Sequence, residues 1–327
     1  MRSPAHWYAA PGFVARALSP IGWLYAKATE VRLARGERKK IGIPVLCIGN
    51  LVAGGTGKTP TAIALAQRLK ERGKTPAFVS RGYGGTLAGP HLVAERTDSA
   101  EKVGDEPLLL SAFALTWVSK DRLAGALAAR DAGAEVIILD DGFQNPALHY
   151  DLSIVVADAE KGFGNGFCIP AGPLREPAKV GLKRADILLT IGNDDQQSAF
   201  EKTNELLDQV NRVAGKLEPL ATGMDWADLR VLAFAGIGHP EKFFATLRAV
   251  GANVLESLSL ADHGTVDGRM FQRLSRRAGD LNARLVCTEK DAVKLSKANR
   301  KEVLTLPVRL SVDDWRPIDL HFDRLGL

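Results

Sequence analysis

The chain has little cysteine. Its three, Cys47, Cys168 and Cys287, stand far apart among 327 residues with no paired spacing. That excludes a disulfide framework and a zinc cluster, and it leaves the cytoplasm as the default compartment. No apolar run reaches the about 20 residues that a spanning helix needs, because the N-terminal stretch is broken by Arg16, Pro20 and Lys27. The same order of residues argues against a cleaved signal peptide, whose charge would precede a short apolar block. Internal repeats and low-complexity tracts are also missing. What remains is a globular composition, 46% hydrophobic and 25% charged, which suits one large or two ordinary domains and makes disorder a poor description. The net charge of +5 favours an anionic partner without choosing among nucleotide, nucleic acid and membrane phosphate.

Against that background one stretch stands out, "NLVAGGTGKTPTAIALAQRLK" at residues 50–70. The phosphate-loop pattern G-x-x-x-x-G-K-[ST] is met at Gly57, Lys58 and Thr59, while its first position holds Val52. Context supplies what the pattern lacks. "PVLCIG" (Pro44 to Gly49) reads as a buried strand and Thr59 to Lys70 as a helix, so strand, glycine loop and helix follow in order. Glycines let backbone approach an anion, and a helix start directs free N–H groups and a positive dipole end towards it. Lys58 would reach the β and γ phosphates and the Thr59 hydroxyl would ligate Mg²⁺. The competing reading is a turn that merely joins strand to helix.

Further apolar runs recur: Thr75 to Ser80, Leu115 to Val118, Glu135 to Asp141, Leu152 to Asp158 and Ala185 to Gly192. Helical patterns separate several of them, one from about Glu106 and another over Arg122 to Ala132. Continuous apolar runs with intervening helices predict an α/β fold with a parallel sheet covered on both faces, of the P-loop NTPase type. A polar helix is expected from Ser198 to about Leu217, then a linker through "MDWADLR". The alternation restarts at Val231 to Gly238, with a helix over Pro240 to Val250 and a strand over Arg284 to Asp291, so a second, smaller α/β domain is expected. The expected division is 1–40, 41–220 and 221–327.

The N-terminal part has apolar residues at helical spacing: Val14, Ala17, Leu18, Ile21, Leu24, Tyr25, Ala28 and Val31, with Trp7, Tyr8, Phe13 and Trp23 nearby. Arg32, Arg35, Arg38, Lys39 and Lys40 follow. An amphipathic helix with aromatics and adjacent basic residues suits an anionic membrane surface; a helix packed on the protein's own core is the alternative.

Several side chains are candidates for chemistry. The strand "VIILDD" ends in Asp140 and Asp141, where phosphate-loop proteins carry a carboxylate that holds Mg²⁺ directly or through water; a solvated turn is the plainer reading, and the upstream loop favours the metal. Asp105 and Glu106 in "VGDEP" precede a helix, where an acidic residue ordinarily caps N–H groups. Asp262 and His263 are weak evidence as a lone pair. Arg175 and Glu176 lie in the Pro/Gly-rich "PAGPLREP", where a surface salt bridge is the simplest account.

Together these stretches resemble one family, the bacterial tetraacyldisaccharide 4'-kinase of lipid A synthesis. The resemblance runs in order through "IPVLCIGNLVAGGTGKTP", "SRGYGG", "VGDEP", "LDDGFQ", "PAGPLREP", "AFAGIGHPEKFF", the Asp-His at 262–263 and "TEKDAVKL", and it covers nearly the whole chain. It implies transfer of the γ-phosphate of ATP, with Mg²⁺, to the 4'-hydroxyl of tetraacyldisaccharide 1-phosphate, giving lipid IV-A. By position it implies nucleotide binding by Val52, Ala53, Gly54, Gly55, Thr56, Gly57, Lys58, Thr59 and Gln144, and metal binding by Thr59, Asp140 and Asp141. Asp105 matches the family's general base and His263 the histidine that orients it, with Lys58 the third catalytic group. Arg122, Arg175 and Glu176 match residues near phosphates or the lipid headgroup. Asn145, where members often have histidine, and Gly264, where many have a second histidine, depart from the pattern and bear on substrate contact. The resemblance further implies a peripheral or monotopic enzyme on the cytoplasmic face of the inner membrane, with neither a nucleic-acid nor an obligate protein partner.

A membrane-associated partitioning or targeting ATPase would share the loop and the lipid-binding segment, but those proteins carry a lysine just before the two glycines, where this chain has Ala53. A guanine-reading switch would need Asn-Lys-x-Asp rather than "TEKD". No nucleic-acid module is recognisable and the basic residues are spread out.

Overall fold

The computed structural model describes residues 4–261, 264 and 266–327. Among these residues thirteen strands form two sheets. They are β1 (Val45–Gly49), β2 (Pro76–Ser80), β3 (His91–Leu92), β4 (Leu115–Val118), β5 (Val136–Asp140), β6 (Leu152–Asp158), β7 (Ile187–Ile191), β8 (Asn211–Pro219), β9 (Arg230–Ala235), β10 (Asn253–Ser259), β11 (Arg284–Cys287), β12 (Val303–Thr305) and β13 (Val308–Val312). The larger sheet has the order β13-β8-β7-β6-β1-β5-β2-β4-β3 and the smaller β10-β9-β11-β12. All neighbours in the larger sheet are parallel except the edge pairs β3 with β4 and β13 with β8; the smaller sheet is wholly parallel.

Burial explains why the strands read as unbroken apolar runs. Every residue of β1, β2, β5, β6 and β7 is buried, because helices cover both faces of the sheet. Alternate residues of one strand face different cores. Leu46, Ile48 and Ile138 pack with Ile63, Leu65 and Leu69 of the helix Lys58–Glu71, while Val45, Ile137 and Leu139 pack with Ala126 and Ala129 of the helix Arg122–Asp131. From β1 the chain crosses to β2 on one side, returns to β5 and then reaches β6 on the other side. The carboxyl end of β1 is thus a switch point, where open α/β sheets form a crevice.

Three expectations change. The helix expected from Ser198 to about Leu217 is a shorter one, Asp194–Thr203, started by a capping box between Asn193 and Gln196. The chain beyond Asn204 becomes the extended strand β8, which inserts Val213 and Gly215 between β7 and β13. The run Arg284 to Asp291 leaves the strand at Cys287, because Thr288 caps a single helical turn, Glu289–Ala292, by accepting from Asp291 N–H. Finally, the smaller sheet ends at Thr305 and the chain returns to the larger one, so 221–327 is not one unit. Leu310 of β13, with Ile318 and Phe322 of the helix Arg316–Leu325, joins the core around Leu46 and Ile63. Arg68 reaches Asp319 at 2.6 Å across that contact.

The helix Phe13–Arg35 turns small residues inward, with Ala15, Gly22, Ala26 and Thr29 buried. Phe13, Val14, Ile21, Trp23, Leu24, Tyr25 and Val31 are exposed, so much of the apolar stripe points away from the protein. Among the described residues no helix is long and apolar enough to cross a membrane.

The return of the C-terminus has a measurable consequence. Phe322 is fully buried, and truncating a core phenylalanine typically costs ~3–5 kcal/mol. Phe322→Ala is expected to lower the urea midpoint of the whole molecule accordingly. A loss below ~1 kcal/mol would mean that the C-terminal helix is not part of the principal core.

Candidate functional site

The loop after β1 is shaped from two sides. Val52 pairs with Leu174 in an antiparallel bridge, closed by Ala53 N–H donating to Pro173 O (2.8 Å) and Arg175 N–H to Leu51 O (2.7 Å). Extended backbone is what this bridge needs, which accounts for valine at the first position of the pattern. Left-handed backbone begins later, at Gly54 (φ 123°) and Gly57 (φ 95°), where other residues would be strained. The buried Asn50 amide spans the loop, donating to Gly54 O at 3.0 Å and Thr56 Oγ1 at 3.3 Å. Among the described residues no side chain caps the helix that starts at Lys58, so its first-turn N–H groups stay available to an anion. Thr59 lies half-buried in that turn.

Opposite the loop, the two aspartates at the end of β5 occupy contrasting environments. Asp141 takes left-handed backbone (φ 54°) and lies 3.8 Å from Lys58 Nζ and 3.0 Å from Arg175 Nη1. Burial would raise its pKa, but Lys58 and Arg175 outweigh burial and hold the carboxyl below the usual range. Asp140, 1% exposed, has neither carboxylate oxygen partnered among the described residues. Burial first, and the nearby Glu106 second, push its pKa up to about 7. Two carboxylates driven apart in this way mark a site with distinct jobs for each.

The remaining candidates gather around this pair. Gln144 donates to Asn50 O and Glu176 Oε1, both at 3.0 Å, and its Oε1 accepts from Arg175 at 3.4 Å. Glu176 is buried and gripped by Arg184 at 2.6 Å, and its Oε1 accepts from Gln144, so it braces that side chain from beneath. Arg122, also buried, donates to Ser119 O at 3.1 Å; burial lowers its pKa, opposed by the charges of Asp140 and Asp141. Asp105, 5% exposed, opens the helix Asp105–Leu110, and its Oδ1 accepts from Glu106 N–H at 2.9 Å. Its Oδ2 lies 3.9 Å from Lys290 Nζ, which donates to Glu106 Oε1 at 2.8 Å. His263, expected to orient Asp105, lies outside the described residues, as does Asp262.

Asn50, Arg184 and Lys290 escaped the sequence reading. Asn50 stood directly before the glycine loop and Lys290 inside "TEKD", so both had a signal in their neighbours; the Arg184 contact with Glu176 had none.

No group of three or more His, Cys, Asp or Glu side chains among the described residues could hold a metal by itself. The two unpartnered oxygens of Asp140 and the hydroxyl chemistry of Thr59 nevertheless suit a hard cation. Mg²⁺ is commonly bound by one or two carboxylates plus substrate phosphates rather than by a full protein cage.

The raised pKa of Asp140 fixes the sign of a stability effect. The folded protein holds this proton up to about pH 7, against an ordinary value of 3.8, so the site loses stability as pH rises through that window. Asp140→Asn is therefore expected to melt higher than the native protein at pH 8 in chelator, with the gain fading towards pH 4, while losing activity. Equal melting curves at pH 8 would refute the assignment of a costly buried charge.

Three comparisons bear on this geometry. A protein of Jannaschia sp. (strain CCS1) named tetraacyldisaccharide 4'-kinase is 57% identical, over 99% of this chain and 99% of its own. Another of that name from Dinoroseobacter shibae is 53% identical, over 99% and 98%. The crystal structure of an LpxK from Aquifex aeolicus in complex with ATP is 27% identical, superposes with a TM-score of 0.75 and covers 96% of this chain and 100% of that one. Residues 14–323 match the family described as LpxK, tetraacyldisaccharide-1-P 4'-kinase, and the chain that builds this loop, this aspartate pair and this fold belongs to that family.

Proposed function

We infer that the cleft transfers the γ-phosphoryl group of ATP to the 4'-hydroxyl of tetraacyldisaccharide 1-phosphate, and that the residues gathered there divide the work as follows. The observation that carries the reading is the pair at the end of β5: Asp141 held ionised beside Lys58, and Asp140 buried with two unpartnered oxygens. Phosphoryl transfer needs positioning and charge neutralisation more than covalent help. Backbone N–H groups from Gly54 to Thr59 and the Lys58 ammonium hold the β and γ phosphates. Asp140 and the Thr59 hydroxyl are the groups that would hold Mg²⁺, whose bound charge neutralises the phosphate oxygens as the leaving group separates. Arg175 keeps Asp141 ionised and in place, so that Asp141 in turn orients Lys58.

The acceptor needs its proton taken. Asp105 accepts it at a carboxylate oxygen as the 4'-oxygen bonds to the γ-phosphorus. The bond from that phosphorus to the bridging oxygen breaks, and its electron pair leaves with ADP. Asp105 thereby combines its hydrogen bond from Glu106 N–H with a proton-accepting role.

The helix Phe13–Arg35 supports attachment to the cytoplasmic face of the inner membrane. Its exposed apolar face is followed by Arg38, Lys39 and Lys40, the combination of burial and charge that surface binding requires. A lipid acceptor would be met there.

Incubation of the purified protein with Mg²⁺, labelled ATP and the tetraacylated disaccharide 1-phosphate in detergent tests the reaction. Label is expected in the lipid, and ATP hydrolysis without labelled lipid would overturn the reading. Deletion of residues 1–31 is expected to reduce sedimentation with anionic vesicles sharply. A truncated protein that still sedimented fully and resisted salt would place the membrane-binding surface elsewhere.

A further inference from the structure

We propose that the buried ion pair Asp291–Lys294 is a positioning device that aims Lys290 of the smaller sheet's unit at the Asp105–Glu106 pair of the larger one. The proposal rests on the phosphoryl-transfer reading above. Asp291 is 2% exposed and Lys294 Nζ stands 2.6 Å from its Oδ1. Removing two charges from water is costly, and an apolar pair of the same volume is often as stable or more so. Stability alone is thus a weak reason for the pair.

Its partners give a better one. Asp291 Oδ2 accepts from Gly236 N–H at 3.0 Å and from Thr288 Oγ1 at 2.7 Å. Lys294 Nζ donates to Gly264 O at 2.9 Å. The pair therefore ties together the loop after β9, the loop after β10 and the helical turn Glu289–Ala292. The packing is close: a Cβ on Gly236 would lie 3.0 Å from Asp291 Oδ1, 3.1 Å from Gly264 O and 3.2 Å from Lys294 Nζ. A single turn has few hydrogen bonds of its own and little intrinsic stability, so its direction is set by what grips it.

That turn is also the seam between the units. Glu289 is held by Arg309 of β13 at 2.6 Å, and Lys290, the next residue, reaches Glu106 at 2.8 Å and comes within 3.9 Å of Asp105. A cation at this point draws Glu106 towards itself and holds the N-terminus of the helix that carries Asp105. Small displacements matter there, since misplacing reacting groups by about 1 Å can cost ~10²-fold in rate. The stretches "AFAGIG" and "TEKDAVK" of the second unit, with Gly264 between them in sequence, meet through these two side chains.

Lipid phosphorylation by full-length Lys290→Met, Lys290→Arg, Lys294→Met and Asp291→Asn/Lys294→Met variants tests the proposal, with kcat normalised to the folded fraction. Lys294→Met alone leaves a buried carboxylate unpaired and is expected to melt low. The double variant is expected to recover most of that melting temperature yet keep a kcat at least ~10-fold below native, with KM for ATP within about twofold. Lys290→Met should show the same split, and Lys290→Arg should regain much of the lost kcat. A folded double variant with native kcat, or a deficit that vanishes once folding is restored by cooling, would reduce the pair to a structural one. Native protein active on the lipid beside unaffected Lys290→Met overturns this inference alone; native protein inactive on the lipid overturns the reaction reading with it.

Discussion

A carboxylate without a partner at the buried end of β5 is the constraint around which the site is organised. Ionising Asp140 there is unfavourable enough to move its pKa to about 7, and nothing nearby among the described side chains relieves it by hydrogen bonding. A fold retains such a group when a ligand supplies the missing charge. Its neighbour shows the contrast: Asp141, one residue on, is satisfied by Arg175 and approached by Lys58. The sheet makes this contrast possible. Ile48 of β1 lies beside Asp140 in register, so the strand that launches the glycine loop also buries the carboxylate facing it.

From that point the supporting layer follows. Arg175 can hold Asp141 only because its segment is bridged to the loop at Val52 and Leu174. Gln144 links the same segment back to Asn50 and down to Glu176, and Arg184 closes the chain beneath. Each member is buried or half-buried, where hydrogen bonds to charged groups contribute more than exposed ones and an unmet partner is expensive.

Much of this arrangement was legible because the physics that built it is local. Strands β1, β5 and β6 are buried on both faces and so could only be apolar throughout, and the glycines at 54 and 57 mark backbone that a side chain would strain. The aspartates at 140 and 141 could be placed because a strand followed by a turn has a visible end. β8 was not legible: its buried residues, Val213 and Gly215, sit among Asn211, Arg212 and Lys216, and only the neighbours β7 and β13 make it a strand. The return of β13 to the first sheet was hidden for the same reason, since nothing local in Val308–Val312 distinguishes one sheet from the other. Glu176 shows the limit for side chains. Its motif marked it as important, but that it braces Gln144 depends on Arg184, a contact no spacing rule reveals.

Two lysines of the second unit reach carboxylates of the first on opposite flanks, and the two lysines differ in exposure. Lys242 reaches Asp158 at 2.8 Å and Glu160 at 2.9 Å with its side chain 43% exposed, whereas Lys290 is 17% exposed against Glu106 and Asp105. Asp158 beneath Lys242 is itself buried, with its side chain 10% exposed, so only the contact with Glu160 is of the open kind that contributes about 0–1 kcal/mol and is screened by salt. The Lys290 flank is drier and its charges interact more strongly. On the β6 flank the lysine is thus shared between one buried and one exposed carboxylate. Beside β2 and β4, by contrast, Lys290 meets Glu106 and the buried Asp105, and the stronger coupling falls on the side where the helix Asp105–Leu110 begins.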